Sequence, residues 1–247
     1  MSKLFFLSFS VCTWFMLAGF AYAIEITPMV VTFSLNKGGN STSSLVHNDL
    51  PRDIAFDIQI FEIQFSEQNI TQEPQLVALT ESPLWVFPPS LYLKPGQAQR
   101  LQFKWLAKAL PGTDKSYQVS LVEQPIATHL TSNSSKLRLL LNFNLVVHVD
   151  QPKLRPSLMV GPLSIEGANI TANIHNIGAG ASRLSDYELK LTNVNSGVLL
   201  QRILKQQLKA QGYDVFFAPN SLSHIKLPLP NTISKGSLKQ LHLELVE

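Results

Sequence analysis

Residues 136–149 read KLRLLLNFNLVVHV, with an apolar side chain at every second position: Leu137, Leu139, Leu141, Phe143, Leu145, Val147 and Val149. A period of two is the strand period, so these seven share one face while Arg138, Asn142, Asn144 and His148 lie on the other, together with the apolar Leu140 and Val146. Fourteen residues at about 3.3 Å each extend roughly 45 Å, beyond the usual strand. A polar stretch, TSNSS at 131–135, precedes the run, and the proline-marked QPKLRP at 151–156 follows it. The run therefore reads as the last strand of a domain. Two roles stay open for it. It is the central strand of an ordinary sandwich, or it is a long apolar edge kept for pairing with another chain, because an unpaired edge of this kind otherwise aggregates.

Working outward, residues 25–35 (EITPMVVTFSL) read as a first strand with Val31, Phe33 and Leu35 on one face. Residues 41–48 read as a second. Residues 54–65 (IAFDIQIFEIQF) alternate cleanly, with Ile54, Phe56, Ile58, Ile60 and Glu62 on one side. Three short strands, 84–87, 91–93 and 99–105, are divided by Pro88-Pro89 and Lys94-Pro95-Gly96, which stop a ladder and set turns. Residues 115–123 form the strand before the opening run. After Pro156 the pattern restarts with shorter strands at 158–165, 169–175, 186–193, 198–204, 213–217, 223–227 and 238–246, separated by Gly, Asn and Pro turn signals. No run longer than ten residues keeps a helical period. The expectation is an all-β chain of two sandwich domains, 24–150 and 157–247, joined by a linker at 151–156.

The N-terminus reads as a secretion signal over residues 1–23. Lys3 is the positive region, residues 4–20 are mostly apolar, and Ala21-Tyr22-Ala23 is a small-x-small cleavage site. The single cysteine, Cys12, falls in that segment, so a chain starting at Ile24 has no disulfide, no thiolate chemistry and no cysteine metal site. Core packing must hold it together. Without Lys3, 19 of the 20 Lys and Arg residues face 17 Asp and Glu, a net of +2. The charges are interleaved, and no basic stripe for nucleic acid appears.

Catalytic signatures are absent. The histidines, His47, His129, His148, His175, His224 and His242, are scattered without the spacing that sets two metal ligands on one face. No nucleophile elbow or glycine-rich phosphate loop is present. Asp57 and Glu62 sit on opposite faces of one strand, which excludes a paired acid and base. Trp85, Tyr92 and Trp105 would suit a sugar-stacking platform, which keeps a carbohydrate-binding β-sandwich as an alternative. The chain is not read as an enzyme.

Several segments, taken in order, resemble the periplasmic chaperones of the chaperone–usher pathway that assembles pili and fimbriae. Ile26-Thr27-Pro28-Met29-Val30-Val31 sits where that family has its first strand. The segment FPPSLYLKPGQ at 87–97 is similar to its proline-rich stretch and Leu-x-Pro-Gly turn. LPGTDKSY at 110–117 and VSLVEQP at 119–125 resemble the approach to its sixth strand and that strand's end, and the alternating run and a smaller β domain follow. The details stand closer to the divergent, archaic-type branch. The resemblance implies two immunoglobulin-like β-sandwich domains in an L-shaped arrangement, no cofactor and no metal. It implies pilin or fimbrial subunits and an outer-membrane usher as partners, a periplasmic location, and donor-strand complementation, in which the long strand completes a subunit lacking one of its own. The donated side chains would be Leu137, Leu139, Leu141 and Phe143. In the better-known members an Arg and a Lys hold the subunit's C-terminal carboxylate; those positions fall here on Met29 and Asn144, neither cationic. Substitute cations would come from Arg100, Lys104, Lys115 and Arg138. Self-association of the free protein stays open, and a fimbrial minor subunit or adhesin is the alternative from the same class of fold.

Overall fold

The computed structural model describes residues 23–35, 41–69, 72–126, 139–228 and 241–246. The first half holds ten strands: β1 (Ile24–Thr27), β2 (Val30–Ser34), β3 (Ser41–Asn48), β4 (Ile54–Gln64), β5 (Gln75–Ala78), β6 (Leu84–Phe87), β7 (Ser90–Leu93), β8 (Ala98–Trp105), β9 (Lys115–Gln124) and β10 (Asn142–Asp150). They form two sheets, one in the order β1-β3-β8-β6, the other β2-β10-β9-β4-β5 with β7 also on β4. Alternation decides which side chains meet between the sheets. β8 buries Leu101, Phe103 and Trp105 and turns Gln102 and Lys104 outward; β9 supplies Tyr117, Val119 and Leu121, and β10 supplies Leu145, Val147 and Val149. Ile54 and Phe56 of β4 are fully buried in the same cluster.

The expected single strand over 25–35 is in fact two strands in different sheets. Ile24–Thr27 pairs antiparallel with β3, the chain crosses at Pro28, and Val30–Ser34 pairs parallel with β10. Proline has no N–H to give a ladder, which is why the break falls there. β5 was not legible in the sequence: QLVA is mostly exposed and pairs only with the far end of β4. At Lys94-Pro95-Gly96-Gln97 the Gln97 N–H donates to Lys94 O (3.0 Å) and Gly96 takes φ 74°, the type II turn that needs glycine at its third position.

The second half comprises β11 (Leu158–Val160), β12 (Ser164–Glu166), β13 (Asn169–Asn176), β14 (Ser182–Arg183), a 3-10 turn (Leu184–Asp186), β15 (Glu188–Asn193), β16 (Leu199–Ile203), helix α1 (Lys205–Ala210), β17 (Phe216–Phe217), β18 (Ser221–Pro228) and β19 (Leu241–Val246). β13 is flanked by β11 and β12 on one side and β18 on the other; β16-β15-β19 is a second sheet and β14-β17 a short ribbon. A separate core contains Ile174, Leu184, Leu189, Leu208, Phe217 and Ile225. The expected strand over 158–165 splits into β11 and β12. Helix α1 was not anticipated, because six residues burying only Leu208 show no period. The chain is thus two all-β immunoglobulin-like sandwiches, each with its own core.

The connection between them is tightly held. Buried Asn176 donates through Nδ2 to Gly180 O (2.8 Å) and Ala218 O (3.1 Å), and its Oδ1 accepts from Ser157 N (3.0 Å) and Gly178 N (3.0 Å). Gly178 and Gly180 press on the backbone of residues 154–157 so closely that a Cβ at Gly178 would lie 2.5 Å from Arg155 O.

Candidate functional site

β10 is central at one end and an edge at the other. Along one side it pairs with β9 from Asn142↔Val122 to Val149↔Lys115. On its other side β2 begins only at Val146↔Val30, where Val146 N donates to Met29 O (2.9 Å). Directions alternate along a strand, so that bond places the N–H and C=O of Asn144 and Asn142 on the same open side. Among the described residues, nothing pairs with them there. Within the described part of the expected 136–149 run, the strand starts only at Asn142, and Leu139, Leu140 and Leu141 precede it outside any sheet. Leu139 is 75% exposed and Leu140 44%, whereas Leu141 is half-buried. Phe143 packs its ring edge-on against Phe56 at 5.9 Å. Leu137 and Arg138 lie outside the described residues.

Leu141 is held at the root of this edge. Its C=O accepts from Glu123 N (3.1 Å) and its N–H donates to Glu123 Oε2 (2.9 Å). The Glu123 carboxylate is fully buried and receives both Nη groups of Arg52, Nη2 at 3.0 Å. That hydrogen bonding raises the Arg52 pKa above its already high ordinary value. Sequence reasoning missed the pair, although Glu123 continues the inward series Tyr117, Val119, Leu121, and a carboxylate at a core position must have a partner.

The lower end of β10 faces a cleft between the two sandwiches, lined by Thr32, Asp114, Lys115, His148, Asp150, Ser182, Arg183 and Phe216. His148, on the outward face of β10, is buried there by the second sandwich: its ring stacks on Phe216 at 4.1 Å, and Nδ1 lies 2.8 Å from Ser116 Oγ. Phe65 meets the same Phe216 at 5.9 Å, and the Arg183 guanidinium stands 5.5 Å from its ring. Burial, aided by the Arg183 charge, pulls the His148 pKa down to about 4, so the ring is neutral at pH 7. Asp114 staples the halves together, accepting from Gln151 N (2.8 Å) and Ala181 N (2.8 Å) while its own N–H donates to Ala179 O (2.9 Å). Burial raises its pKa, and those two backbone donors oppose the rise.

Three of the four expected cations lie within the described residues, and those three are dispersed. Lys115 lines the cleft but is already paired with Glu62 at 2.6 Å. Arg100 and Lys104 belong to β8, in the opposite sheet, where Arg100 donates to Ser43 Oγ (2.8 Å) and Lys104 is exposed beside β3. Arg183, not singled out in the sequence, is the second cleft cation among the described residues. Met29 is 43% exposed at the β2 entry, and Asn144 Oδ1 accepts from Ser120 Oγ (2.8 Å). The aromatic trio does not form a platform: Trp105 is buried in the core, Trp85 stacks on Phe87 at the β6 edge, and Tyr92 is on the other sheet, bonded to Asp53.

No protein-family model matches the chain, and no curated protein matches it. Solved structures do. The chain is similar to a chain from a chaperone–tip adhesin complex of CFA/I fimbriae biogenesis, with a TM-score of 0.55 and 14% identity over 91% of this chain and 98% of that one. It is similar to the class 5 fimbriae chaperone CfaA with a TM-score of 0.52 and 14% identity, over 91% of this chain and 99% of that one. At that identity the likeness is one of fold, and it spans both sandwiches: the chain has the two-domain immunoglobulin-like fold of the fimbriae chaperones, the resemblance its sequence carries.

Proposed function

We propose that this protein is a periplasmic assembly chaperone that binds fimbrial subunits by lending them the open edge of β10 and delivers them to an outer-membrane usher. The observation that carries the reading is the half-covered strand. Among the described residues nothing pairs with the backbone groups of Asn142 and Asn144 on one side, and the 75% exposed Leu139 lies just ahead on the apolar face. An edge with this character is suited to β-augmentation, main-chain bonds giving affinity and alternate side chains giving fit. Within the described residues the lent side chains are Leu139 and Leu141, Phe143 being already packed against Phe56. The solved chaperone–tip adhesin complex of similar fold supports a subunit as the partner. The mechanism breaks no covalent bond. The subunit's incomplete sheet gains a strand, and burying one leucine in its groove contributes about 1.5–3 kcal/mol. Residues 1–23 supply the export signal in this reading. A periplasmic pull-down of the tagged protein tests it, with Leu139→Glu as the comparison. A small β-rich subunit recovered with wild type and lost with the variant supports the reading. Equal recovery by both moves the lent register elsewhere, and recovery by neither, with the pilus genes expressed, rejects the chaperone role.

A further inference from the structure

We propose that Arg52 and Glu123 form a ladder stop that fixes Leu141 as the root of the lent strand, an inference that rests on the chaperone reading above. The register Asn142↔Val122 makes Leu141 and Glu123 the next facing pair. Facing residues at such a position would exchange two main-chain bonds. Only one is made, Glu123 N to Leu141 O (3.1 Å). The other donor, Leu141 N, goes instead to the carboxylate of the same Glu123 (2.9 Å). The side chain thus takes the place that a backbone carbonyl would hold, and the β9–β10 ladder ends there. β9 itself runs one residue further, with Gln124 still paired to Ala55 of β4, so the partner strand has not run out. Arg52 holds the carboxylate in place through its two terminal Nη groups. Leu140 and Leu139 lie outside the sheet from this point, which is why they stand exposed.

The consequence is a fixed division of the apolar run. From Asn142 onward the chain belongs to the protein's own sheet, and Phe143 is seated on Phe56. Leu139 and Leu140, just ahead of Leu141, lie outside any sheet and are exposed to another chain. A slip of one residue would turn every side chain to the opposite face, so a root pinned by a charged, buried group sets the register offered to the subunit. Arg52 and Glu123 are positioning residues in this account.

Residue-resolved amide exchange on the free protein tests the stop without any partner. In Glu123→Gln the Leu141 amide should exchange about tenfold or more faster than in wild type, while the Val119 and Leu121 amides keep their protection. Arg52→Lys, which keeps a cation beside the carboxylate, should retain most of the Leu141 protection. If Glu123→Gln does not fold, the double variant Arg52→Met, Glu123→Met removes both charges together and is read in the same way. The pull-down described above is then repeated with the folded variant, and recovery of the subunit that accompanies wild type should fall several-fold. Unchanged Leu141 protection in the folded variant overturns the stop and leaves the chaperone reading standing. A faster Leu141 amide with undiminished recovery overturns its role in lending. No recovery by wild type itself rejects the chaperone reading, and the lent strand with it, whatever the amide shows.

Discussion

Acidification should loosen the joint between the two sandwiches through His148. In the folded protein its pKa is about 4 against an ordinary 6.5, because the ring is buried against Phe216 with Arg183 nearby. A histidine whose folded pKa is depressed binds fewer protons folded than unfolded between those two values. Its contribution is therefore intact above pH 6.5, is lost as pH falls toward 4, and changes no further below. The full loss is about 3 kcal/mol, most of it between pH 7 and 4.5, at roughly 1.4 kcal/mol per pH unit. Other charged groups share the cleft: Asp114, Asp150, Asp186, Lys115 and Arg183. Asp114 acts with the opposite sign. Its folded pKa is raised, so it binds its proton more readily folded, and stability from this group grows as pH falls. Comparing wild type with His148→Gln cancels that background, since glutamine keeps a polar partner for Ser116 and cannot titrate. Urea midpoints at pH 7 and 4.5 give the measurement. Wild type should lose about 2–3 kcal/mol more than the variant over that interval. Equal losses would refute the assignment to His148.

Leu139→Glu should leave folding stability within about 0.5 kcal/mol of wild type, because the side chain is already in solvent, while subunit recovery is lost. Unfolding midpoints and the pull-down separate the two effects. Asp114→Asn removes one of two acceptors that bind Gln151 N and Ala181 N, and should destabilise by about 1.5–3 kcal/mol. Small-angle scattering should then show a broader distribution of interdomain distances, and an unchanged profile would mean that the staple does not set the domain angle. Lys115→Met should reduce subunit recovery no more than about threefold, since its charge is already matched by Glu62. A loss as complete as that of Leu139→Glu would make Lys115 the anchor of an incoming carboxylate.

What the sequence made legible followed from alternation. Strands such as Ile54–Gln64 and Ala98–Trp105 have one buried and one wet face, and their period of two is visible without coordinates. Elements lacking such contrast were not legible: β5 is exposed almost throughout, and α1 is shorter than two helical turns. Pro28 showed in the sequence, but not that the chain changes sheets there, because the partners of β1 and β2 lie far apart in sequence. At the site, the apolar face of 139–145 was legible. The end of its pairing was not, since it depends on the Glu123 carboxylate taking a backbone donor. His148 read as outward-facing, and it is so within the first sandwich. Only the second sandwich buries it, through Phe216, a contact that no local pattern encodes.

For the subunit capture proposed above, charge balance in the cleft determines where affinity must come from. Lys115 and Arg183 are its cations, and Asp114, Asp150 and Asp186 line it too, with Glu62 already on Lys115. A carboxylate arriving at Lys115 would exchange one ion pair for another and leave Glu62, whose side chain is only 19% exposed, without its partner. Such an exchange is close to neutral where the pair is partly solvated. The open edge starts from a different balance. Two residues, Asn142 and Asn144, offer two N–H and two C=O groups to a strand that would otherwise leave its own unpaired; at about 0.5–1.5 kcal/mol each they contribute roughly 2–6 kcal/mol. Leu139 and Leu141 entering a groove add about 1.5–3 kcal/mol apiece before the cost of association is subtracted. The edge therefore outweighs the cleft. A capture dominated by backbone pairing and apolar burial also tolerates salt, since neither contribution is screened as exposed charges are.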